Sequence, residues 1–378
     1  MADRLPGIGT MARIAIGVCG EGRGHAARAA TLMERLGGGH EFLVASTSEA
    51  LDLLAARAGG TAARFLDVPG IRFQYRDGRL DVSRSIATGL WYGWRHLPGI
   101  VDRLTRAVAD FGADLVITDF EPVLPRVARR LGLPLMSVDH QHFLVAYDLA
   151  ALPRGLCWQA SCMGLAVRMY VRGATDTIVS AFYRPPLRRG WEHVVQVGPL
   201  LRRAVLQARP RDGGFVVSYL RRHTPPHVLE ALAAAGLPVR VYGLGRREPL
   251  GPVSFHDIAE AAFVDDLAGC TAVVAAGGNQ LIGEALHLGK PVLALPESAH
   301  AEQCMNGHFL RAMDAGDFQP LERVDGPAVR GFLAARDRYR PALERLAGRM
   351  DGAGAVVQAV EGRLRSLGLA PPSREAAA

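Results

Sequence analysis

Lysine is nearly absent from this sequence, since Lys290 is the only lysine among its 44 basic residues. An arginine bias of this kind often reflects genome composition and says little about function. The sequence also lacks an uninterrupted apolar segment long enough for a transmembrane helix, so a membrane-spanning protein is not expected. Its five cysteines are scattered and without metal-ligand spacing. They therefore predict neither a disulfide framework nor a zinc site.

The chain is too long for one ordinary core, because it has 378 residues, 49% of them hydrophobic and 21% charged. Its net charge of +7 would suit nucleic acid, anionic lipid or phosphorylated substrates. No helix-turn-helix, finger or base-stacking motif is present, so nucleic acid is not an expected partner. Residues 1–10 lack the apolar core of a signal peptide. We expect a cytoplasmic protein with a disordered leader over 1–10 and a disordered tail over 370–378.

Short β-branched runs alternate with helical patterns, which is typical of an α/β fold built from βαβ units with parallel sheets. One series occupies residues 11–198 and a second occupies 214–350. Each predicts a Rossmann-like domain, and the Gly-, Pro- and Arg-rich segment 199–213 has the composition of a linker. The helical segment 351–369 is predicted to close the chain and to pack back on the N-terminal domain. Ligands of such folds bind at the carboxyl ends of the strands.

The individual elements follow from the same periodicity. The predicted strands are 13–18, 40–45, 114–118, 135–138, 177–180 and 193–197 in the first half, then 214–218, 239–242, 253–255, 272–276 and 291–294 in the second. Near the end, the pattern predicts one helix over 329–346 and another over 353–367.

The most informative segment is the turn at Gly277-Gly278, which joins a buried strand to a helix starting near Asn279. Such a turn lets a phosphate approach the backbone and the positive end of the helix dipole. Taken alone it could equally be a tight strand-to-helix turn. Glu284 lies about one and a half helical turns further on, where a carboxylate can accept ribose hydroxyls. Together these residues favour a nucleotide site.

The first strand runs into the loop Gly20-Glu-Gly22-Arg-Gly24-His25. A glycine pattern of this type is also found in dinucleotide-binding proteins, which would make the chain an oxidoreductase. The acidic residue expected about twenty positions on could be Glu41 or Glu49, but neither lies convincingly at the end of the second strand.

The two loops belong to a larger set of motifs. It comprises Gly277-Gly278, Glu284-Ala285, Gly289-Lys-Pro291, Pro296, Glu302-Gln303 and Asn306 in the second half, with Gly20 to His25 and Thr118-Asp-Phe-Glu-Pro122 in the first. This set resembles the signature of GT-B glycosyltransferases, the superfamily of MurG-like enzymes and UDP-glycosyltransferases, and the resemblance covers residues 11–367. The pattern is most similar to a bacterial and archaeal MurG-like branch of the teichoic-acid-biosynthesis type. It implies two Rossmann-like domains facing across a cleft.

The resemblance implies a UDP-sugar co-substrate held by the second half, with no further cofactor. The diphosphate would contact the backbone at the glycine turn, Glu284 would bind the ribose, and Glu302 and Gln303 would bind the donor sugar. The full implied donor set is Ser218, Ile258, Phe263, Gly277, Gly278, Asn279, Gln280, Glu284, Glu302, Gln303 and Asn306. Many relatives have an apolar residue at the position of Asn279, so the identity of the sugar stays open.

Inverting transfer, which the resemblance implies, needs a base to take the proton of the acceptor hydroxyl. His25 is the candidate, because the pKa of histidine lies near working pH, and Asp119 is its predicted partner. Glu121, Asp139 and His140 are the alternative bases. No Asp-x-Asp motif is present, so a metal-independent reaction is expected, with the leaving UDP stabilised by helix-dipole and backbone donors.

The acceptor is expected on the N-terminal domain, and the residues predicted on this acceptor or membrane side are Gly22, Gly24, Arg28, Trp91, Trp94, Arg95 and His142. The segments 84–100 and 152–172 combine Trp, Tyr, Met and Arg without an acidic residue. This composition suits an anionic membrane surface and a lipid-linked or amphiphilic acceptor, with the enzyme peripheral on the inner face of the plasma membrane. For 152–172, a buried helix core is an equally good interpretation.

Two further classes of protein fit the same fold. A non-hydrolysing UDP-sugar 2-epimerase would act on its nucleotide-sugar without an acceptor. A non-catalytic nucleotide-sugar-binding protein would bind UDP without turnover.

Overall fold

A computed structural model describes residues 11–20, 23–59, 61–69, 74–76, 79–81, 95–221 and 223–369. They form an α/β structure with two large parallel sheets, as the sequence predicts. The predicted leader and tail, together with Gly22, Trp91 and Trp94, lie outside the described residues. Among the described helices, none has the length and apolar character needed to cross a bilayer.

The described residues of the N-terminal half form nine strands and six helices. Its strands are β1 (Ala12–Val18), β2 (His40–Ser46), β3 (Ala62–Asp67), β4 (Gln74–Arg76), β5 (Arg79–Asp81), β6 (Leu115–Asp119), β7 (Leu135–Asp139), β8 (Asp176–Ser180) and β9 (Val195–Val197). Its helices are α1 (Arg23–Leu36), α2 (Ser48–Arg57), α3 (Leu97–Phe111), α4 (Leu124–Leu131), α5 (Phe143–Ala146) and α6 (Arg154–Tyr170). Seven strands form one parallel sheet in the order β3-β2-β1-β6-β7-β8-β9, while β4 and β5 pair as a separate antiparallel hairpin.

The first strand shows why this sheet is buried on both faces. Its sequence Ala-Arg-Ile-Ala-Ile-Gly-Val is almost continuously apolar, which is typical of a parallel strand covered by helices on each side. Ile14 and Ile16 point into one hydrophobic cluster, and Ala15 points into another on the opposite face. The sheet is therefore the middle layer of three, and its strand ends are the parts free to build a site.

The C-terminal half also contains a parallel sheet with helices between its strands. Its strands are β10 (Val216–Tyr219), β11 (Val239–Tyr242), β12 (Val253–His256), β13 (Ala272–Ala275), β14 (Val292–Ala294) and β15 (Gly316–Phe318). The remaining helices are α7 (Arg203–Gln207), α8 (Pro226–Ala233), α9 (Glu260–Gly269), α10 (Asn279–His287), α11 (Ala301–Ala312), α12 (Gly326–Ala334), α13 (Arg340–Leu346) and α14 (Ala353–Ser366). The six strands are all parallel, in the order β12-β11-β10-β13-β14-β15.

Three details differ from the sequence-based expectation. The short strands β3 and β15, which lie at sheet edges, and the separate pair β4 and β5 were not predicted. The segment expected to be a plain linker contains α7. The single helix expected over 329–346 is two helices, α12 and α13, with a 3₁₀ turn between them. Pro341 at the start of α13 accounts for the break, because proline has no N–H to donate to the preceding turn.

The last helix, α14, packs with the N-terminal half. Val356, Val360 and Leu364 belong to the same cluster as Ile14 and Leu32. The chain returns to this half beside the linker, where Gly352 N donates to Pro199 O at 2.9 Å and the backbones of Gly198 and Gly352 touch. A Cβ built on Gly352 would lie 2.1 Å from the carbonyl oxygen of Gly198. Only glycine fits at this crossing.

We predict that Gly352→Ala lowers the free energy of unfolding by about 1–3 kcal/mol or more, because the two backbones must separate to admit the methyl group. The matched control is Gly354→Ala. Gly354 is exposed in the first turn of α14, and a Cβ there meets no atom within 4 Å. The control should be neutral or stabilising, since alanine favours helix. Urea unfolding of both variants measures the difference, and equal stability would show that the crossing is not tightly packed.

Candidate active site

Strand ends from both sheets meet at the cleft. In the N-terminal sheet, β1 lies between β2 and β6, so the connections on its two sides diverge and leave a crevice at the carboxyl ends. Asp119, Asp139 and Ser180 end the neighbouring strands β6, β7 and β8. In the other sheet, the corresponding crevice lies between β10 and β13. A Cβ on Gly24 would lie 3.9 Å from the Cβ of Gln280, so the two glycine loops face each other.

His25 and the buried ion pair of Arg28 and Asp119 form a hydrogen-bonded group on the N-terminal side. Arg28 and His25 are three residues apart in α1, so both side chains reach the end of β6. Arg28 donates from Nε to Asp119 Oδ2 and from Nη2 to Asp119 Oδ1, each at 2.8 Å. Burial acts to raise the pKa of Asp119, but the charge of Arg28 and the hydrogen bonds from Arg28 and His25 outweigh it and hold that pKa below its ordinary value. Asp119 is therefore a carboxylate.

Asp119 also fixes the tautomer of His25. The Nδ1 of His25 lies 2.8 Å from Asp119 Oδ1, and an ionised carboxylate can only accept a hydrogen bond, so Nδ1 carries the proton. The lone pair of Nε2 then points away from Asp119, and Nε2 lies 3.5 Å from the amide nitrogen of Gln141. This is the arrangement that a general base requires.

Residues from the other half close the cleft opposite His25. Glu302, at the start of α11, accepts from Gln141 Nε2 at 3.3 Å and lies 3.8 Å from His140 Nε2. Burial acts to raise the pKa of Glu302, but the electrostatic effect of the neighbouring His140, His300, His25 and Arg28 side chains lowers it overall.

His140 presents a second unshared lone pair. Its Nδ1 donates to Ser180 O at 3.0 Å, so its Nε2 faces the carboxylate of Glu302. Burial lowers the pKa of His140 despite that carboxylate, which favours the neutral ring. In the described structure, His140 Nε2 and Gln141 Oε1 are buried without a hydrogen-bond partner. With Glu302, they make a set of acceptors that would be satisfied by a ligand carrying several hydroxyl donors.

Asp139 and Glu121, predicted as alternative bases, are both engaged in hydrogen bonds within the protein. Asp139 has no exposed surface and accepts from Ser137 Oγ at 2.6 Å and from His142 Nδ1 at 2.7 Å. Burial acts to raise the pKa of Asp139, but these partners lower it to about 2. His142, predicted on the acceptor side, is thus buried against Asp139.

Glu121 caps a helix instead of lining the cleft. Its two carboxylate oxygens accept from the backbone N–H groups of Val123 and Leu124 at 2.8 Å, at the start of α4. Burial raises its pKa to about 7 although these hydrogen bonds oppose the shift. As placed, neither Asp139 nor Glu121 is free to take a proton from a substrate.

The glycine turn follows β13 on the C-terminal side. Gly277 lies close to α11, because a Cβ there would be 2.8 Å from the carbonyl oxygen of Gln303. A Cβ on Gly278 would meet no atom within 4 Å. Gly278 is the N-cap residue of α10, so the free N–H groups of that helix border open space. A phosphate could approach the backbone here. At the end of the adjacent β10, Ser218 is fully buried and its hydroxyl has no hydrogen-bond partner in the described structure.

Three predicted donor residues use their side chains to hold this turn in place. Asn279 Oδ1 accepts from Phe182 N, and its Nδ2 donates to Ser180 O, both at 3.0 Å. Asn306 Nδ2 donates to Gly277 O at 2.9 Å. Gln303 Oε1 accepts from Glu297 N at 3.1 Å, and the side chain is buried. The amide groups of these side chains are therefore engaged within the protein.

The carboxylate predicted to bind the ribose lies in an ion pair. Arg202, from the linker, donates from Nε to Glu284 Oε1 at 2.9 Å and from Nη2 to Oε2 at 2.5 Å. Gln280 Nε2 also donates to Glu284 Oε1, at 3.1 Å. The guanidinium of Arg202 lies 5.9 Å from the ring centre of Phe263. Sequence reasoning missed Arg202 because nothing in a linker composition marks one arginine among several.

The other residues predicted to bind the donor or acceptor do not lie together. Phe263 is buried and packs edge-on against Tyr219 and Tyr242, whereas Ile258 is partly exposed. Arg95 is exposed just before α3.

Tyr183, which the sequence did not single out, donates to Asn306 Oδ1 at 3.0 Å and stacks on Phe309 at 3.9 Å between ring centres. Among the described residues, no group of three or more His, Cys, Asp or Glu side chains is arranged to hold a metal ion.

Comparison with known proteins identifies glycosyltransferases as similar sequences. A family model described as glycosyl transferase family 1 matches residues 12–336. An uncharacterized glycosyltransferase of Methanosarcina mazei is 26% identical over 383 residues, covering 92% of this chain and 98% of the relative. A second, from Methanosarcina acetivorans, is 25% identical and covers 90% of this chain and 95% of its own length.

Solved structures share the fold. The calicheamicin glycosyltransferase CalG4 has a TM-score of 0.64 at 18% identity, covering 94% of this chain and 99% of its own. The Streptomyces glycosyltransferase SsfS6, complexed with thymidine diphosphate, has a TM-score of 0.60 at 19% identity, with coverage of 93% and 99%.

The raised pKa of Glu121 predicts a pH-dependent stability. A carboxyl that binds its proton more tightly in the folded state contributes stability below about pH 4.5, and this is lost as the pH rises through about 7. The change from 4.5 to about 7 corresponds to about 3 kcal/mol at most. We expect Glu121→Gln to reduce the loss of unfolding free energy between about pH 5 and about pH 8 by up to that amount.

Urea unfolding of wild type and variant at both pH values measures how steeply the unfolding free energy falls with pH, which is the slope to be compared. A destabilisation by the amide that is equal at both pH values leaves this slope unchanged. The exposed Glu344→Gln is the matched control and should keep the wild-type slope. Identical slopes for Glu121→Gln and wild type would contradict the prediction.

Proposed function

This chain belongs to glycosyl transferase family 1 and has the GT-B fold, and from this premise we propose that it transfers a sugar from a UDP-sugar to an acceptor hydroxyl, with inversion and without a metal ion. The observation that carries the proposal is His25. Its Nδ1–H is held by Asp119, and its Nε2 lies 3.5 Å from the side-chain amide nitrogen of Gln141, which in turn donates to Glu302 of the other half.

The proposed reaction assigns one task to each side of the cleft. His25 Nε2 takes the proton of the acceptor hydroxyl as that oxygen bonds to the anomeric carbon. The bond between that carbon and the diphosphate oxygen breaks, and its electron pair leaves with UDP. Asp119 stabilises the imidazolium that forms, as a paired carboxylate does for a histidine base. The N–H groups at the start of α10 would stabilise the negative charge that grows on the diphosphate.

The donor and acceptor are proposed in outline. The unpaired acceptors His140 Nε2 and Gln141 Oε1, together with Glu302, favour a sugar with several free hydroxyls. The similar structure of SsfS6 contains thymidine diphosphate, so a dTDP-sugar is the alternative donor to a UDP-sugar. We propose that a lipid-linked or amphiphilic acceptor binds on the N-terminal side and that sugar transfer takes place at the inner face of the plasma membrane.

Nucleotide binding is the first test. We expect UDP or dTDP to raise the melting temperature, because a ligand at about 100 times its Kd adds about 2.7 kcal/mol to the unfolding free energy. Gly278→Val should fold, since a Cβ there meets no atom within 4 Å, yet its methyl groups would fill the space that a diphosphate needs. We therefore expect this variant to lose the shift.

The exposed Gly331→Val, where a Cβ also meets no atom within 4 Å, is the matched control and should keep the nucleotide shift. A thermal-shift panel of nucleoside diphosphates measures all three proteins. No stabilisation of the wild type by any nucleoside diphosphate would defeat the proposal.

Loss of the base is the second test. We expect His25→Ala to slow hydrolysis of the best-binding nucleotide-sugar, with water as acceptor, by about 10²- to 10⁴-fold, because proton abstraction is lost. The thermal shift by the nucleoside diphosphate should persist. His193→Ala, at an exposed histidine of the same domain, is the control and should retain wild-type turnover. Equal rates for His25→Ala and wild type would show that another group is the base, and interconversion of the donor at C2 would identify an epimerase.

A further inference from the structure

Helix α6 carries large apolar side chains on its outer face. Trp158, Leu165 and Met169 are 69%, 62% and 55% exposed, and Cys162 is exposed between them. Their spacing of three to four residues places them on one side of the helix. We call these four residues the α6 stripe. Single exposed apolar residues are ordinary, but a stripe along a whole helix is characteristic of an interaction surface.

The inner face of α6 explains why the large residues point outward. The buried positions are Ala160, Gly164 and Val167, all small, and they let the helix lie close to α5. A Cβ on Gly164 would be 2.8 Å from Val145 Cγ1. The helix is thus packed against the domain through small residues. The interpretation of this segment as helix core is wrong for Trp158, Leu165 and Met169.

The charges on this helix and at its two ends are of one sign. Arg154 and Arg172 are exposed at its two ends, and Arg168 is exposed beside it, with its guanidinium 5.0 Å from the ring centre of Trp191. The helix itself contains no acidic residue. In an antiparallel pair of these helices, Arg154 of one copy would approach Arg172 of the other. Like charges make self-association through this face unfavourable, whereas an anionic partner would be attracted.

We propose that the α6 stripe binds an anionic membrane surface, with the helix lying parallel to the plane of the bilayer. An apolar face flanked by arginines is the composition of helices that sit at the lipid interface. Trp158 suits the boundary between headgroups and acyl chains, because its ring is apolar and its N–H is polar. The arginines would contact lipid phosphates. At 17 residues, α6 is about 25 Å long, enough to rest on several headgroups.

The position of α6 relates this surface to the cleft. Tyr170, the last residue of the helix, has its ring centre 5.3 Å from that of Phe120, which directly follows Asp119. The helix also contacts α11, whose first turn carries Glu302. Docking through the stripe would therefore bring the acceptor side of the cleft to the membrane. This orientation rests on the proposed function, while membrane binding itself does not.

Sedimentation of the full chain with vesicles tests the proposal. We expect binding to phosphatidylcholine vesicles that contain phosphatidylglycerol, weaker binding to phosphatidylcholine alone, and loss of binding at high salt. Trp158→Ala combined with Leu165→Ala should weaken the partition coefficient by about ten-fold or more, because two buried apolar side chains are lost. Arg154→Gln combined with Arg172→Gln should weaken it by about ten- to thirty-fold on anionic vesicles only.

The matched control is Leu250→Ala combined with Leu367→Ala, two exposed apolar residues outside the stripe that should leave binding unchanged. No binding by the wild type, or equal binding by the Trp158 and control variants, would overturn the proposal. A dimer seen by analytical ultracentrifugation that Trp158→Ala dissociates would overturn it in favour of self-association. Vesicle binding without nucleotide stabilisation would refute the proposed function and leave the membrane surface standing.

Discussion

The candidate site depends on one buried carboxylate, Asp119. It is 3% exposed, and Arg28, which forms two hydrogen bonds with it, is 4% exposed. Removing one partner from such a buried pair typically costs about 3–5 kcal/mol, because the other charge is left uncompensated. The same carboxylate orients His25, and its backbone carbonyl accepts from Cys19 N at 3.0 Å. Asp119 therefore holds the His25 loop, the helix α1 and the strand β6 in one arrangement.

The backbone conformation just after Asp119 supports this role. Phe120 has a φ of 52°, in the left-handed region that residues other than glycine seldom adopt. The turn lets β6 end abruptly, so that the Asp119 side chain stays buried while Phe120 packs on Tyr170. Backbone strain of this kind persists only where surrounding contacts hold it. Here the contacts are the ion pair on one side and the ring packing on the other.

The glycine turn of the second domain is supported by the first. Asn279 binds Ser180 and Phe182, and Tyr183 binds Asn306, which in turn holds Gly277. The segment after β8 thus fixes both ends of the glycine turn. Because these hydrogen bonds are buried, separating the domains here would leave several polar groups without partners. The geometry offered to a diphosphate is a property of both domains together.

The sequence predicted the features that depend on local pattern. The two parallel sheets and the glycine turn follow from strand periodicity and from the rule that ligands meet the carboxyl ends of strands. The position of His25 at the cleft was implied by the family resemblance, and Asp119 was its expected partner because it lies at the end of a strand. The sequence could not predict Arg202, which lies 82 residues from Glu284 and pairs with it through the path of the linker. Nor could it orient α6, since apolar residues occur on both of its faces and only the packing of Gly164 against Val145 decides which face is buried.

The ion pair of Glu284 bears on which nucleotide the site accepts. A carboxylate offers about four lone-pair positions. Arg202 and Gln280 occupy two on Oε1, and Arg202 occupies one on Oε2. One position is left for a ligand unless Arg202 moves. Two ribose hydroxyls on Glu284, as in the predicted UDP contact, would require that movement, whereas a single hydroxyl would not. With Arg202 in place, Glu284 has one position for a ring hydroxyl of either a 2′-deoxyribose or a ribose, so it would not discriminate between dTDP and UDP. That discrimination would fall to the residues predicted to bind the base, around Phe263.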